Sequence, residues 1–305
     1  MKFSYKINTR KVIIASLTGI LIAAGCKTYQ TTTDNFDGAS LASVNRGQML
    51  VQSSCAGCHA DPQTHHLSGK QFPTPGIFGK VYAANLTKSK SHGVLTKYTL
   101  ADLAYLMRTG ITKDGKFMTY MLRPNMSNED VAAMWAYFHS DDADVQPVDA
   151  VPGTTNLNFL GHMGAIFLGS PLPYRSRVAQ VNENDAVAHG RYLVDNIGCY
   201  HFHSKKGMMS LNHERPEQTK GYMAGGRKFK MPEGKIRGSN ITMDKETGIG
   251  NYSREEFRNA VLRAVDEGNK KLRPPMKAFH YMTDKEADAI YAYIQTLAPV
   301  NHEVN

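Results

Sequence analysis

Cys55-Ala56-Gly57-Cys58-His59 places two thiols three positions apart, with an imidazole directly after the second. Thiols at that spacing can add to the two vinyl groups of a haem, and the adjacent histidine then falls beneath the iron as proximal ligand. Half of a zinc site would need a second pair of sulfur or nitrogen ligands nearby, and none is evident. A redox dithiol would want a strand and helix pattern around it, whereas the flanks here read as helical and turn-rich. The motif therefore points to covalent haem c. The other cysteines, Cys26 and Cys199, complete a set of four that does not form an even framework of widely spaced disulfide pairs.

The chain also repeats itself. Asn85-Leu86-Thr87 and Gly93 recur as Asn240-Ile241-Thr242 and Gly248 at an offset of 155, and Tyr98-Thr99 with Leu103 recurs as Tyr252-Ser253 with Phe257 at 154. Gly47 precedes Cys55 by eight residues and Gly190 precedes Cys199 by nine. The second copy reads Cys199-Tyr200-His201-Phe202-His203, with phenylalanine in place of the second cysteine. Its proximal candidate, His203, survives. Distal ligands are sought in the loop before the last helix of each copy, where a thioether would raise the reduction potential. Met276 occupies that loop in the second copy, and subtracting 155 lands on Met121 in the first. Met118 competes with Met121, since the same loop could deliver either sulfur. His65, His66, His92 and His280 read as surface residues or residues beside the haem propionates, His201 as a surface residue, and Met126 and Met282 as core.

The elements that position these groups are helices. Thr99 and Ser253 read as N-caps ahead of apolar residues at helical spacing, as do Ser127 and Thr283 ahead of the last helix of each copy. Trp135 with Tyr137, and Tyr291 with Tyr293, are expected to pack on the N-terminal helix of their copy. Few segments alternate with a period of two. Residues 141–184 hold Pro147, Pro152, Pro171 and Pro173 and read as an irregular connector, whose apolar stretch 159–168 is expected to pack between the copies.

Upstream, Lys2, Lys6, Arg10 and Lys11 precede the apolar run 12–24, which is too short for a comfortable membrane span and reads as a secretion signal. It ends in Ala23-Ala24-Gly25-Cys26, which resembles a bacterial lipobox, so Cys26 is expected to carry lipid. Removing residues 1–25 takes away four basic residues and lowers the formal charge from +9 to +5. No basic run with interleaved aromatics appears, which argues against nucleic acid as a partner.

With Tyr120-Met121-Leu122-Arg123-Pro124-Asn125-Met126-Ser127, Gly221-Tyr222-Met223-Ala224-Gly225-Gly226 and the segment 240–252, the mature chain resembles the di-haem c-type cytochrome lipoproteins of Gram-negative bacteria, close to those of Bacteroidota. It is also similar to cytochrome subunits of membrane dehydrogenases. The resemblance implies an all-α fold of two tandem cytochrome c domains: a lipoprotein signal at 1–25, a flexible tether at 26–43, domains at 44–140 and 185–305, and the connector at 141–184. It implies electron transfer outside the cytoplasm, on the periplasmic side of a membrane, with a dehydrogenase, oxidase or soluble carrier as redox partner. Phe202 leaves three states for the second site: haem on one thioether at Cys199, haem held by coordination alone, or no haem. The first is the expectation. Six-coordinate His/Met iron favours a carrier over an enzyme, while a labile distal ligand at the second site would instead suit peroxide reduction or oxidation of a small sulfur compound. An assembly subunit of a larger respiratory complex is the third reading.

Overall fold

Helices begin where hydroxyl side chains can satisfy the first free N–H groups. Thr99 accepts from the Asp102 backbone N–H while the Asp102 carboxylate accepts from that of Thr99, and Ser253 with Glu256 makes the same reciprocal box. Ser127 and Thr283 cap the last helix of each half. The computed structural model describes residues 29, 36, 43–72, 79–161, 170–205, 211–231 and 234–304. The expected secretion signal and Cys26 lie outside them. Among the described residues, no helix is long and apolar enough to cross a membrane.

Among the described residues the α-helices are, in chain order, α1 (Val44–Ser54), α2 (Ala56–His59), α3 (Leu100–Thr109), α4 (Asn128–Phe138), α5 (Ala186–Ile197), α6 (Cys199–His203), α7 (Arg254–Arg263) and α8 (Asp284–Gln295). The first helix of each half packs on the last, α1 on α4 and α5 on α8. Glycine permits both approaches. A Cβ on Gly47 would come within 1.9 Å of the Ala133 carbonyl oxygen, and one on Gly190 within 1.8 Å of that of Ala289. Tyr137 and Tyr293 cover these glycines as expected. Trp135 does not join them, since its ring lies against His139 at 4.2 Å. Tyr291 packs instead on Phe257 of α7 at 5.0 Å and donates to the Tyr252 carbonyl. Leu50, Val51, Leu193, Val194, Met126 and Met282 are buried in the core.

The fold is mostly helical, but not purely so. Three short antiparallel strands, β1 (Gln71–Phe72), β2 (Gly79–Tyr82) and β3 (Asn156–Leu157), form one sheet, and β4 (Lys228–Met231) pairs with β5 (Gly234–Arg237) in a hairpin. These correct the all-helical expectation. Two- to four-residue strands carry too few positions to display alternation, and β3 comes from the connector, far from its partner in sequence.

The connector is tied to the first half. The Asp144 and Val145 carbonyls accept from the Leu67 and Lys88 backbone N–H groups, and the Tyr174 ring lies 5.0 Å from that of Tyr105. Of the apolar stretch 159–168, only 159–161 are described, and Phe159 and Leu160 are exposed rather than packed between the halves. Within the expected tether, Tyr29 bonds Asp102 and sets its ring against Tyr105, so this residue docks on the first half.

Candidate functional site

The end of α1 delivers the first motif. Cys55 caps that helix through its N–H to the Val51 carbonyl, and one further turn follows, with the Cys58 and His59 N–H groups both donating to the Cys55 carbonyl at 3.0 Å. That turn gathers Cys55, Cys58 and His59. His59 is buried, and its Nδ1 lies 2.8 Å from the Ala84 carbonyl oxygen. A carbonyl only accepts, so Nδ1 carries the proton and Nε2 presents its lone pair. Burial lowers the His59 pKa against the raising effect of the Ala84 bond, which favours the neutral, metal-ligating form. Such a bond to the second ring nitrogen is how proteins fix the tautomer of a ligating histidine.

The second half reproduces this arrangement. Gly198, at φ +86°, ends α5 in the left-handed conformation and starts the turn from Cys199 to His203. His203 Nδ1 lies 2.9 Å from the Ser239 carbonyl oxygen, and burial likewise lowers its pKa. Ala84 and Ser239 are related by the offset of 155 and stand directly before Asn85 and Asn240. Sequence reasoning missed these two acceptors, although the repeated Asn-Leu/Ile-Thr phrases marked their position. Each asparagine anchors its turn in the same way, accepting from the N–H and hydroxyl of the threonine two residues on.

Cys55, Cys58 and Cys199 are all free thiols. Burial raises the pKa of each, that of Cys199 to about 12. At Cys55 and Cys58 the Arg123 and Lys277 charges oppose the rise. The donor set fits a c-type haem at the first motif, with two thiols and a neutral imidazole. At the second it fits haem carried on one cysteine.

The distal loops match as well. Met121 closes a 3-10 turn, Thr119–Met121, with its N–H on the Met118 carbonyl at 2.9 Å, and the Met276 N–H bonds the Arg273 carbonyl at 3.2 Å. Both methionines are half-buried, whereas Met118 is 38% exposed. The Tyr120 ring lies 5.1 Å from that of Phe72, and burial raises its pKa against the Arg227 charge. His65, His92 and His280 are exposed, consistent with surface positions.

His201 departs from the surface expectation. It is 4% exposed, its ring centroid lies 5.3 Å from that of His213, and burial pushes its pKa well down. Gly225 stands 22 positions after His203 where Gly69 stands ten after His59, and His213 from this longer connection packs its ring on His201. Phe202, at the position of the absent cysteine, stacks on Phe229 of β4 at 5.6 Å, with the Arg227 guanidinium 5.1 Å from the Phe229 ring centroid. Nearby, Lys205, Arg227, Lys228, Arg237 and His302 line a basic cleft of about 370 Å³.

Residues 44–141 match the cytochrome c family. The chain is 27% identical over 304 residues to the fructose dehydrogenase cytochrome subunit of Gluconobacter japonicus, covering 94% of this chain and 60% of that one. It is 28% identical over 234 residues to the cytochrome c subunit of the quinone alcohol dehydrogenase of Gluconobacter oxydans (strain 621H), with 72% and 46% covered. It is 35% identical over 127 residues to the gluconate 2-dehydrogenase cytochrome c subunit of Pantoea cypripedii, with 40% and 26% covered. The chain thus spans three-fifths or less of the length of these relatives.

Proposed function

We infer that the chain transfers electrons rather than converting a substrate itself, from the cytochrome c match at residues 44–141 and the similarity to cytochrome subunits of dehydrogenases. We propose that it is an exported di-haem c-type cytochrome, anchored by lipid at Cys26. It relays electrons on the periplasmic side of a Gram-negative membrane as a subunit or partner of a dehydrogenase. Its units are the signal 1–25, the tether 26–43, a first domain 44–140, the connector 141–184 and a second domain 185–305. Cys55, Cys58, His59 and Met121 hold the first haem, and Cys199, His203 and Met276 the second.

Bound there, haem supplies reversible one-electron chemistry, with a potential that a histidine and methionine ligand pair raises. The chain's own residues set the conditions. Ala84 and Ser239 hold the imidazoles of His59 and His203 by their Nδ1–H groups and leave Nε2 free for iron. Met121 and Met276 would each supply a thioether to the iron, which would leave no open position for a substrate and suits a carrier. The relatives' names favour a dehydrogenase as the electron source.

The observation that carries this reading is the paired histidine-to-carbonyl bond, present in the half with the full motif and in the half that lacks one cysteine. The test is haem content per chain, with mass spectrometry of the peptides around Cys55 and Cys199, on protein matured with covalent haem attachment. Two haems and a single thioether at Cys199 are expected. One haem with unmodified Cys199 would overturn the di-haem reading, and a high-spin fraction in the absorption spectrum would overturn the carrier reading in favour of catalysis.

A further inference from the structure

Two cations cross between the halves at the ends of the helices that lead into the attachment motifs. Arg123 stands two residues after Met121. Its Nε donates to the Asn196 carbonyl at 2.7 Å, while Nη1 donates to the Leu122 carbonyl, in its own loop, at 2.7 Å. Asn196 lies in the last turn of α5, three residues before Cys199. Lys277 follows Met276 directly, and its Nζ donates to the Gln52 carbonyl at 2.6 Å. Gln52 lies in the last turn of α1, three residues before Cys55. The crossing is reciprocal: the distal loop of each half reaches the attachment helix of the other.

The chemistry of the contact is sound at both ends. The last four carbonyls of a helix have no intrahelical N–H partner, and they carry the negative end of the helix dipole. A cation there satisfies an acceptor and is attracted by the field. Arg123 also bonds its own loop, so its planar fork joins two pieces of backbone at once. Each cation therefore stands within two residues of the proposed thioether ligand of its own half and bonds the helix that leads into the attachment motif of the other.

We propose that Arg123 and Lys277 are positioning residues that lock each distal methionine to the opposite attachment helix, so that the two haem sites share one frame and one local field. The inference rests on Met121 and Met276 as the axial ligands proposed above. A positive charge near an iron favours its reduced state, and a firmly held thioether does the same. Removing either cation should therefore lower the reduction potential at both sites rather than at one.

The experiment uses the full chain with its haems in place and compares wild type with Lys277→Gln and Arg123→Gln, which remove charge, and with Lys277→Arg and Arg123→Lys, which keep it. A redox titration followed by absorption gives the two potentials, and the iron–methionine band reports ligation. Both potentials are expected to fall in the Gln variants at unchanged haem content, and to recover towards wild type in the charge-keeping variants. A fall confined to one site, or no recovery in either charge-keeping variant, overturns the coupling. Should one Gln variant fail to fold, the other carries the same test. Absence of a second haem or of the iron–methionine bands in wild type overturns the axial assignment itself, and the inference with it.

Discussion

On the proposed reading, one side chain, Phe202, separates two modes of holding haem. It occupies the place that Cys58 takes in the first motif, and its ring is 43% exposed and stacked on Phe229. Phe202→Cys restores the spacing Cys-x-x-Cys-His, so the Cys199 peptide should carry haem through two thioethers, seen by mass spectrometry as a second modified cysteine. Retention of a free thiol at position 202 would show that the turn cannot present it to a vinyl group. Asp195 offers a test by pH. Burial lifts its carboxyl to about 7, with Arg191 Nε 3.9 Å away drawing it down. An unfolded chain releases that proton near pH ~3.9. Between these values the native state holds a proton that the unfolded state has lost, so the contribution is fully present below about pH 4 and is lost as pH rises towards 7. Asp195→Asn should abolish that slope and raise stability above pH 7, by about 4 kcal/mol at most. Urea midpoints on both sides of the window measure it, and parallel curves for variant and wild type would contradict it. The buried state of Asp195, like that of His201, was hidden in the sequence, because both depend on chain that arrives from outside their own helix.

Among the elements, the helix pairs α1 with α4 and α5 with α8 hold each half together through a backbone approach that only glycine allows. Gly47→Ala and Gly190→Ala would each drive a Cβ to within 2 Å of a carbonyl oxygen, and neither helix can yield without disturbing its packed face. Each change should cost about 1–3 kcal/mol or more, read from urea or thermal unfolding. Because the glycine in α1 stands eight residues before Cys55, the first variant should also loosen the first haem, and the second variant the second. The helices α3, α4, α7 and α8 were legible because their signals are local: a hydroxyl cap, an acidic third residue and apolar spacing of 3.6. The strands were not. Lys228-Phe229-Lys230-Met231 does alternate, but over four residues that pattern is indistinguishable from chance, and β2 with β3 is defined only by a pairing 76 residues apart. The same divide runs through the site. The motif and the repeat gave Cys55, Cys58, His59 and His203, whereas Arg123 and Lys277 gain meaning only when the two halves meet.

Over the whole molecule, the halves are joined by buried charge as well as by contact between α1 and α5. Arg46 of α1 makes a two-pronged bond to Asp130 of α4, at 2.9 Å on each oxygen, and a third at 2.6 Å to Glu286 of α8 in the other half. Asp130 also accepts from the Tyr192 hydroxyl of α5 at 2.7 Å, so three helices meet on one guanidinium and a fourth joins them through Asp130. Asp130 and Glu286 are both buried. Arg46→Met would fill much of the same volume while leaving two carboxylates without their cation, a loss that typically costs about 3–5 kcal/mol. Removing the carboxylates as well should recover part of that loss, since a buried ion set contributes little net stability once all its members are replaced. Unfolding free energies of Arg46→Met, of Asp130→Asn with Glu286→Gln, and of the triple variant close the cycle. If the network joins the halves, the single variant should also split the unfolding transition into two, one for each half, while the triple variant restores a steeper single step. A single sharp transition in Arg46→Met, with a loss below about 1 kcal/mol, would assign the joining of the halves to the apolar contact of α1 with α5 instead.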